Sequence, residues 1–328
     1  MSMRRRTGDG VHPTVTESRS VVITGASRGL GLATAAHLYR QGWTVVAAMR
    51  SLEAGLDRLR SVTGAGPDDA RLLGVQLDVD DPSSIAAAAR EVLDTVGAPD
   101  GVVHNAGVAG VGCVEEMPPA VFQQIFSTNF FGPVLLTKEL LPSMRAAGRG
   151  RIVVVSSEGG MRGMPGISAY SAAKGALERW AESLSQEISP FGLGVTVLVA
   201  GTFKTDMLEL TKTYADPDGP YADLHAALER IGDHVLRLAA PPERFARGLA
   251  RALDDAAPFE RHTIGPDARA VLVGSTVLPT RVFQRVVAMA LRLPRPGSHR
   301  EDETRLRAVR TLEETAQSTV TDASVGDG

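Results

Sequence analysis

The sequence predicts an α/β protein with a doubly wound parallel sheet and helices on both faces, on three observations. Short runs rich in Val and Ile recur between positions 21 and 199, and longer Ala-, Leu- and Glu-rich stretches of helical period separate them. A glycine-rich turn joins the first run to the first stretch. The apolar runs are 21–23, 45–48, 72–77, 102–103, 152–155 and 195–199, and continuous runs of that length suit strands buried on both faces. The helical stretches include 30–40, 82–96, 119–147 and 169–189, so strand and helix alternate with right-handed crossovers over about 200 residues.

After Gly201 the rhythm is lost. Residues 202–240 are helix-prone but broken by Gly, Asp and Pro, and are expected to form a lid; a helix over 242–253 and a short strand near 262–264 follow. One domain is expected over 18–296. Residues 1–17 and 297–328 have little apolar content to bury and are expected to be mobile tails, with a short helix possible at 305–315.

Composition excludes several classes. With 43% apolar residues, 22% charged residues and a net charge of −3, the chain fits an ordinary globular protein and lacks the basic excess of a nucleic-acid binder. Cys113 is the sole cysteine, which rules out an intrachain disulfide or a cysteine-based zinc cluster within one chain and makes the reducing cytoplasm the expected location. The basic start carries no apolar run of signal-peptide length, and no run reaches the roughly 18 apolar residues of a membrane span. The histidines show no metal-ligand spacing, and no metal is expected.

The turn Thr24-Gly25-Ala26-Ser27-Arg28-Gly29-Leu30-Gly31 lies between a strand and a helix. Glycines there allow a sharp turn and close approach to a pyrophosphate, while the helix N-terminus offers unpaired N–H groups and the positive end of its dipole. This makes the sheet a Rossmann-type dinucleotide fold. An NAD-preferring site usually has a carboxylate ending the second strand, yet Met49 stands there; Arg50 follows and Arg28 lies in the turn. Two guanidinium groups suit a 2′-phosphate, so NADP(H) is the expected cofactor.

Tyr170-Ser-Ala-Ala-Lys174 comes next, and with the glycine turn, Asp78-Val79, Asn105-Ala106-Gly107, Asn129 and Ser157 in this order, the chain resembles the short-chain dehydrogenase/reductase family over roughly residues 20–270. The resemblance implies that Asp78 and Val79 lie against adenine and that Asn105, Ala106 and Gly107 close the fourth strand beside the cofactor. His104 stands where the family often has Asn. Four residues apart on a helix, Tyr170 and Lys174 share one face. Lowering a phenol from about 10 to about 7 takes roughly 4 kcal/mol, which a neighbouring ammonium and a positive nicotinamide ring are expected to supply together.

Ser157, thirteen positions before Tyr170, ends the fifth strand and is expected to orient the substrate oxygen, whereas Ser156 is its structural neighbour. No Gly-x-Ser-x-Gly elbow surrounds either serine, which argues against a hydrolase. Pro133 lacks the N–H that would bond to the carbonyl of residue 129, so the helix is expected to bend at Asn129. By resemblance, Asn129 anchors a water relay with Lys174. Gly201, Phe203 and Thr205 stand in an element that resembles the family's grip on the nicotinamide carboxamide, with Ala200 replacing its proline.

The set Met161, Met164, Ile167, Phe203, Met207 and Leu208 suits a bulky hydrophobic alcohol or carbonyl, of steroid, retinoid or lipid type. Arg281, Arg285 and Arg292 fall on one helical stripe, which suits docking on the domain or a subunit better than a membrane surface. The resemblance also implies a homodimer or homotetramer. The expected function is NADP-dependent interconversion of an alcohol and its ketone or aldehyde. A dehydratase or epimerase using the same Tyr/Lys pair and a non-catalytic NADP-binding regulator are the alternatives.

Overall fold

The computed structural model describes residues 18–293 and Gly297. The expected tail at 1–17, nearly all of that at 297–328 and the short helix at 305–315 lie outside the described residues.

In chain order the first half comprises β1 (Ser20–Thr24), α1 (Gly29–Arg40), β2 (Thr44–Met49), α2 (Leu52–Thr63), β3 (Leu72–Gln76), α3 (Pro82–Val96), β4 (Gly101–His104) and β5 (Gly110–Gly112). Then come α4 (Pro119–Phe126), a π turn at Ser127–Phe131, α5 (Gly132–Ala147), β6 (Gly150–Ser157), α6 (Glu158–Met161), α7 (Ser168–Ile188) and β7 (Leu193–Ala200). The remainder is α8 (Met207–Leu210), β8 (Lys212–Tyr214), α9 (Ala222–Leu238), α10 (Pro242–Leu253), β9 (Phe259–Ile264), α11 (Pro266–Val277) and α12 (Thr280–Ala290).

Seven strands form one parallel sheet in the order β3-β2-β1-β4-β6-β7-β9. Successive residues of a strand face opposite sides, so Val21 and Ile23 join one core with α1 and α10 while Val22 joins the other with α3, α5 and α7. Phe245 is fully buried in the first core and meets Phe203 edge to face, with centroids 5.5 Å apart; such a side chain contributes about 1.5–3 kcal/mol by burial. Asp81 accepts the Ser83 N–H over 2.8 Å and Pro82 fills the first helical position, which fixes the start of α3.

The expected helices at 82–96 and 242–253 coincide with α3 and α10. The single helix expected over 119–147 is interrupted where Pro133 withholds its N–H: Gly132 instead donates to the carbonyl of Ser127, five residues back. The helices α2, α6 and α11 and the strands β5 and β8 are additions to the expected elements, while α8 and α9 fall in the stretch read as helix-prone. The stripe of three arginines is corrected to two, because α12 ends at Ala290 and Arg292 follows it at φ 49°. Phe283 turns α12 inward, 8% exposed, against Gly274. Among the described residues, no helix is long and apolar enough to cross a membrane.

Candidate active site

The site is built at the carboxyl ends of the strands, where open α/β sheets bind ligands. At the end of β1, Gly25 has φ +67°, and a Cβ there would lie 2.9 Å from Ala106 Cα. At Gly31 a Cβ would collide with the Gly25 carbonyl oxygen. The turn is held to β4 by Thr24, whose hydroxyl accepts the N–H groups of Asn105 and Ala106, each at 3.0 Å. The Asn105 amide donates to the Thr24 carbonyl over 2.9 Å and to that of Gly25 over 3.3 Å. Asn105 and Ala106 therefore shape the cradle.

Helix α1 opens with no side-chain cap from Arg28 and no acidic residue in its first turn. Its first N–H groups and positive dipole end are left for an anion. Gly29, at φ +54°, faces Thr205, whose Cβ would lie 3.4 Å from an added Cβ, so the turn and the start of the lid face each other. Ser27 and Leu30 line the partly exposed turn. These features fit the pyrophosphate of a dinucleotide.

At the end of β2, Met49 is 2% exposed and its sulfur occupies the space that a Cβ on Gly55 would need. Arg28 and Arg50 are exposed, and among the described residues neither guanidinium makes a hydrogen bond or ion pair. Asp78 closes the turn after β3: its N–H donates to Ser84 Oγ over 2.9 Å, and its carboxylate accepts the Asp80 N–H over 3.1 Å. Val79 packs against Gly132, where a Cβ would lie 2.7 Å from the Val79 carbonyl oxygen.

Ser157 ends β6 and accepts the Gly159 N–H over 3.4 Å as it starts α6. Tyr170 enters α7 opposite it. Burial pushes the phenol above its ordinary value, a hydrogen bond with Ser157 pulls it back, and Glu158 adds to the upward push. One turn on, Lys174 is 4% exposed and donates to the Val155 carbonyl over 2.7 Å. Its Nζ lies 5.8 Å from the Tyr170 ring centroid. Burial lowers the ammonium to about 8 against the opposing charge of Glu178. The lowering of Tyr170 expected from Tyr/Lys spacing thus needs more positive charge than Lys174 brings, because desolvation is the larger effect.

Asn129 sits in the π turn, fully buried. Its amide accepts the Val108 N–H over 2.9 Å and donates to the Val108 carbonyl over 2.8 Å, a two-point clamp on the segment after β4. A Cβ on Gly107 would lie 3.1 Å from Asn129 Oδ1 and 3.7 Å from Lys174 Nζ, so these three residues converge. Ser156 points away, donating to buried Glu178 over 2.6 Å.

The segment 202–240, expected to form a lid, returns toward this edge. Strand β8 pairs with β5, and Gly166 lies under Leu228 of α9. One member of the expected apolar set is corrected: Phe203 is 4% exposed and packs on Phe245, so it serves the interior. Met161 is partly buried against the second core. The side chain of Leu208 lies outside the described residues. Met164, Ile167 and Met207 are partly exposed.

Several groups escaped sequence reasoning. The Asp267 carboxylate accepts the Thr202 N–H over 2.6 Å and fills the space above Gly201, so α11 fixes the start of the lid from 65 positions away. No local motif marks it. Glu158, next to Ser157, is raised to about 7 by burial and by Asp267. His104 bonds with Thr137 Oγ1 over 2.7 Å and is lowered to about 3 by burial and Lys174, so a neutral imidazole stands where the resemblance left a bond in doubt.

Known proteins are similar to this chain. The profile of the short chain dehydrogenase family matches residues 19–215. The uncharacterized oxidoreductase YbbO of Escherichia coli strain K12 is 33% identical over 271 residues, which span 82% of this chain and 94% of that protein. The crystal structure of a short-chain dehydrogenase from Streptomyces avermitilis is similar at a TM-score of 0.71 and 34% identity, covering 80% of this chain and 93% of that one. A metagenomic short-chain oxidoreductase in complex with NADP is similar at a TM-score of 0.59 and 26% identity, covering 75% and 96%. With a glycine turn at β1, a serine ending β6 and a Tyr/Lys pair on α7, the chain belongs to the short-chain dehydrogenase/reductase family of nicotinamide-dependent oxidoreductases.

Proposed function

We propose that the protein is an NADP-dependent reductase that interconverts a hydrophobic ketone or aldehyde and its alcohol. The observation that carries this reading is the placement of Ser157 at the end of β6 beside Tyr170 at the start of α7, with the buried Lys174 ammonium one turn away. Gly25, Ser27, Gly29, Leu30 and Gly31 would receive the pyrophosphate, Asp78 and Val79 the adenine, and Gly201, Phe203 and Thr205 the carboxamide end. Arg28 and Arg50 would take the 2′-phosphate. Support for that comes from their freedom from other partners among the described residues and from the thioether at Met49. The similar metagenomic oxidoreductase was solved with NADP.

Bound nicotinamide supplies a hydride acceptor or donor at C4. Ser157 orients the substrate oxygen. Tyr170, held above its ordinary value, keeps its proton at neutral pH and gives it to that oxygen, which favours reduction. Lys174 adds positive charge at the phenol, and Asn129 anchors the proton's route to water. Residues 18–296 act as one catalytic domain with 202–240 as its lid, placed in the cytoplasm and assembled as a homodimer or homotetramer through α5 and α7.

NADPH oxidation measured against aldehydes, ketosteroids and retinoids tests the reading. Tyr170→Phe is expected to lower turnover on the best substrate by about 10²–10⁴ while NADPH binding, followed by fluorescence, stays nearly unchanged. Retained turnover would overturn it.

A further inference from the structure

Away from the Tyr/Lys pair, two potential ligands three positions apart meet a third that lies 109 positions further along the chain. Cys113 and His225 are buried and Glu116 is partly so, and one donor atom from each lies within 4.8 Å of the others. Glu116 Oε2 lies 2.6 Å from His225 Nε2 on α9, and it also accepts the Cys113 N–H over 3.2 Å. Its other oxygen accepts the Asp216 N–H over 3.2 Å. The carboxylate is thus oriented by the main chain on both sides, as the supporting bonds around a metal ligand are.

We propose that Cys113, Glu116 and His225 form a zinc site that staples the lid helix α9 to the segment after β5. Thiolate, imidazole and carboxylate are the donors zinc takes, and three protein ligands leave a fourth tetrahedral position for water. Donors bound at about 2.0–2.3 Å stand roughly 3.3–3.8 Å apart in a tetrahedron, so the observed cluster needs only small side-chain rotations. Binding forms one bond each from zinc to sulfur, nitrogen and carboxylate oxygen. The Cys113 thiol proton passes to solvent, and the imidazole binds in its neutral form through Nε2 with its remaining proton on Nδ1. Thiolate and carboxylate then balance the dication.

The position gives the ion a mechanical role. Gly112 N–H donates to the Gly166 carbonyl over 2.7 Å, and Tyr221, at the start of α9, donates to Glu115 over 2.7 Å. A metal at this point closes the same seam as the β5–β8 pairing and holds α9 down.

The test uses the full chain, stripped with a chelator and titrated with Zn²⁺ against a chromophoric competitor. One equivalent per chain is expected, and Co²⁺ should give a thiolate charge-transfer band. Cys113→Ser should remove that band, and Cys113→Ser and His225→Asn should each weaken zinc binding by at least about tenfold. Zinc should also slow amide exchange over 222–238 in the parent protein and in neither variant. Circular dichroism identifies a variant that fails to fold; the parent's stoichiometry, cobalt band and exchange response then decide. Binding below one equivalent, binding unchanged in either folded variant, or exchange indifferent to zinc would sink the proposal.

Discussion

Lys174 Nζ donates to the carbonyl oxygen of Val155 over 2.7 Å. Val155 lies two residues before Ser157 on β6, so a single strand end positions both the ammonium and the serine hydroxyl. Tyr170 faces them from α7. The spacing of the Tyr170 hydroxyl, the Lys174 ammonium and the Ser157 hydroxyl therefore depends on how α7 seats on β6. Ala173 and Leu177 are buried in that seat, and Gly160 allows α6 to approach, since a Cβ there would lie 3.0 Å from Lys174 Cβ.

The Lys174 ammonium is lowered to about 8, chiefly by burial. Its charge is present below that pH and lost above it, so kcat/KM for carbonyl reduction should fall as pH rises through about 8. Stability moves oppositely. Between about pH 8 and the unfolded value near 10.4, the unfolded chain binds more protons, so unfolding becomes harder by up to about 3 kcal/mol. Urea melts of the parent protein and Lys174→Met at pH 7.5 and 10 should show this gain in the parent alone.

Arg28 and Arg50 stand exposed beside the Met49 end of β2. Charge-assisted bonds to a 2′-phosphate contribute about 1.5–3 kcal/mol each. Arg28→Ser combined with Arg50→Asp should shift the ratio of kcat/KM for NADPH over NADH by at least about 100-fold toward NADH. Unchanged selectivity would remove the 2′-phosphate assignment.

Burial and Asp267 raise the Glu158 carboxyl to about 7. Because the folded protein holds this proton where the unfolded chain has lost it, stability declines as pH rises from about 4.5 through 7. Glu158→Gln should relieve the decline, so its advantage over the parent should grow by about 1–3 kcal/mol between pH 5 and pH 8. It should also lower the Tyr170 pKa by removing a like charge. Thermal melts at both pH values and the alkaline limb of the rate profile check the two effects.

The Thr24 hydroxyl accepts two N–H groups, those of Asn105 and Ala106. Thr24→Val keeps the shape and leaves both without an acceptor, at a cost of about 1–3 kcal/mol per group. A stability loss of about 2–5 kcal/mol in urea, with weaker dinucleotide binding, is the expected result.

Much of the sheet was legible because its strands are buried on both faces and read as uninterrupted apolar runs. The bend at Asn129 was legible because proline's missing N–H acts locally. Helix α2 was not: Gly55 and the charges of Asp57, Arg58 and Arg60 dilute a stripe carried by Leu52, Leu56 and Leu59. The role of Phe203 was misread because an apolar residue beside a nicotinamide element looks the same in sequence whether it faces ligand or core; Phe245, 42 positions on, decides it. Asp267 and Glu158 illustrate the same limit. Their importance arises from burial and from partners distant in sequence, which no spacing rule reports.

The short parallel ribbon of β5 and β8 has an engineering consequence. It joins the segment after β7 to the segment after β4 through main-chain bonds, with β5 supplying Gly110-Val111-Gly112 and β8 supplying Lys212-Thr213-Tyr214. Grafting therefore has a natural docking rail: a foreign loop that preserves this short pairing keeps its alignment, while the side chains beyond it remain open to redesign for new substrates.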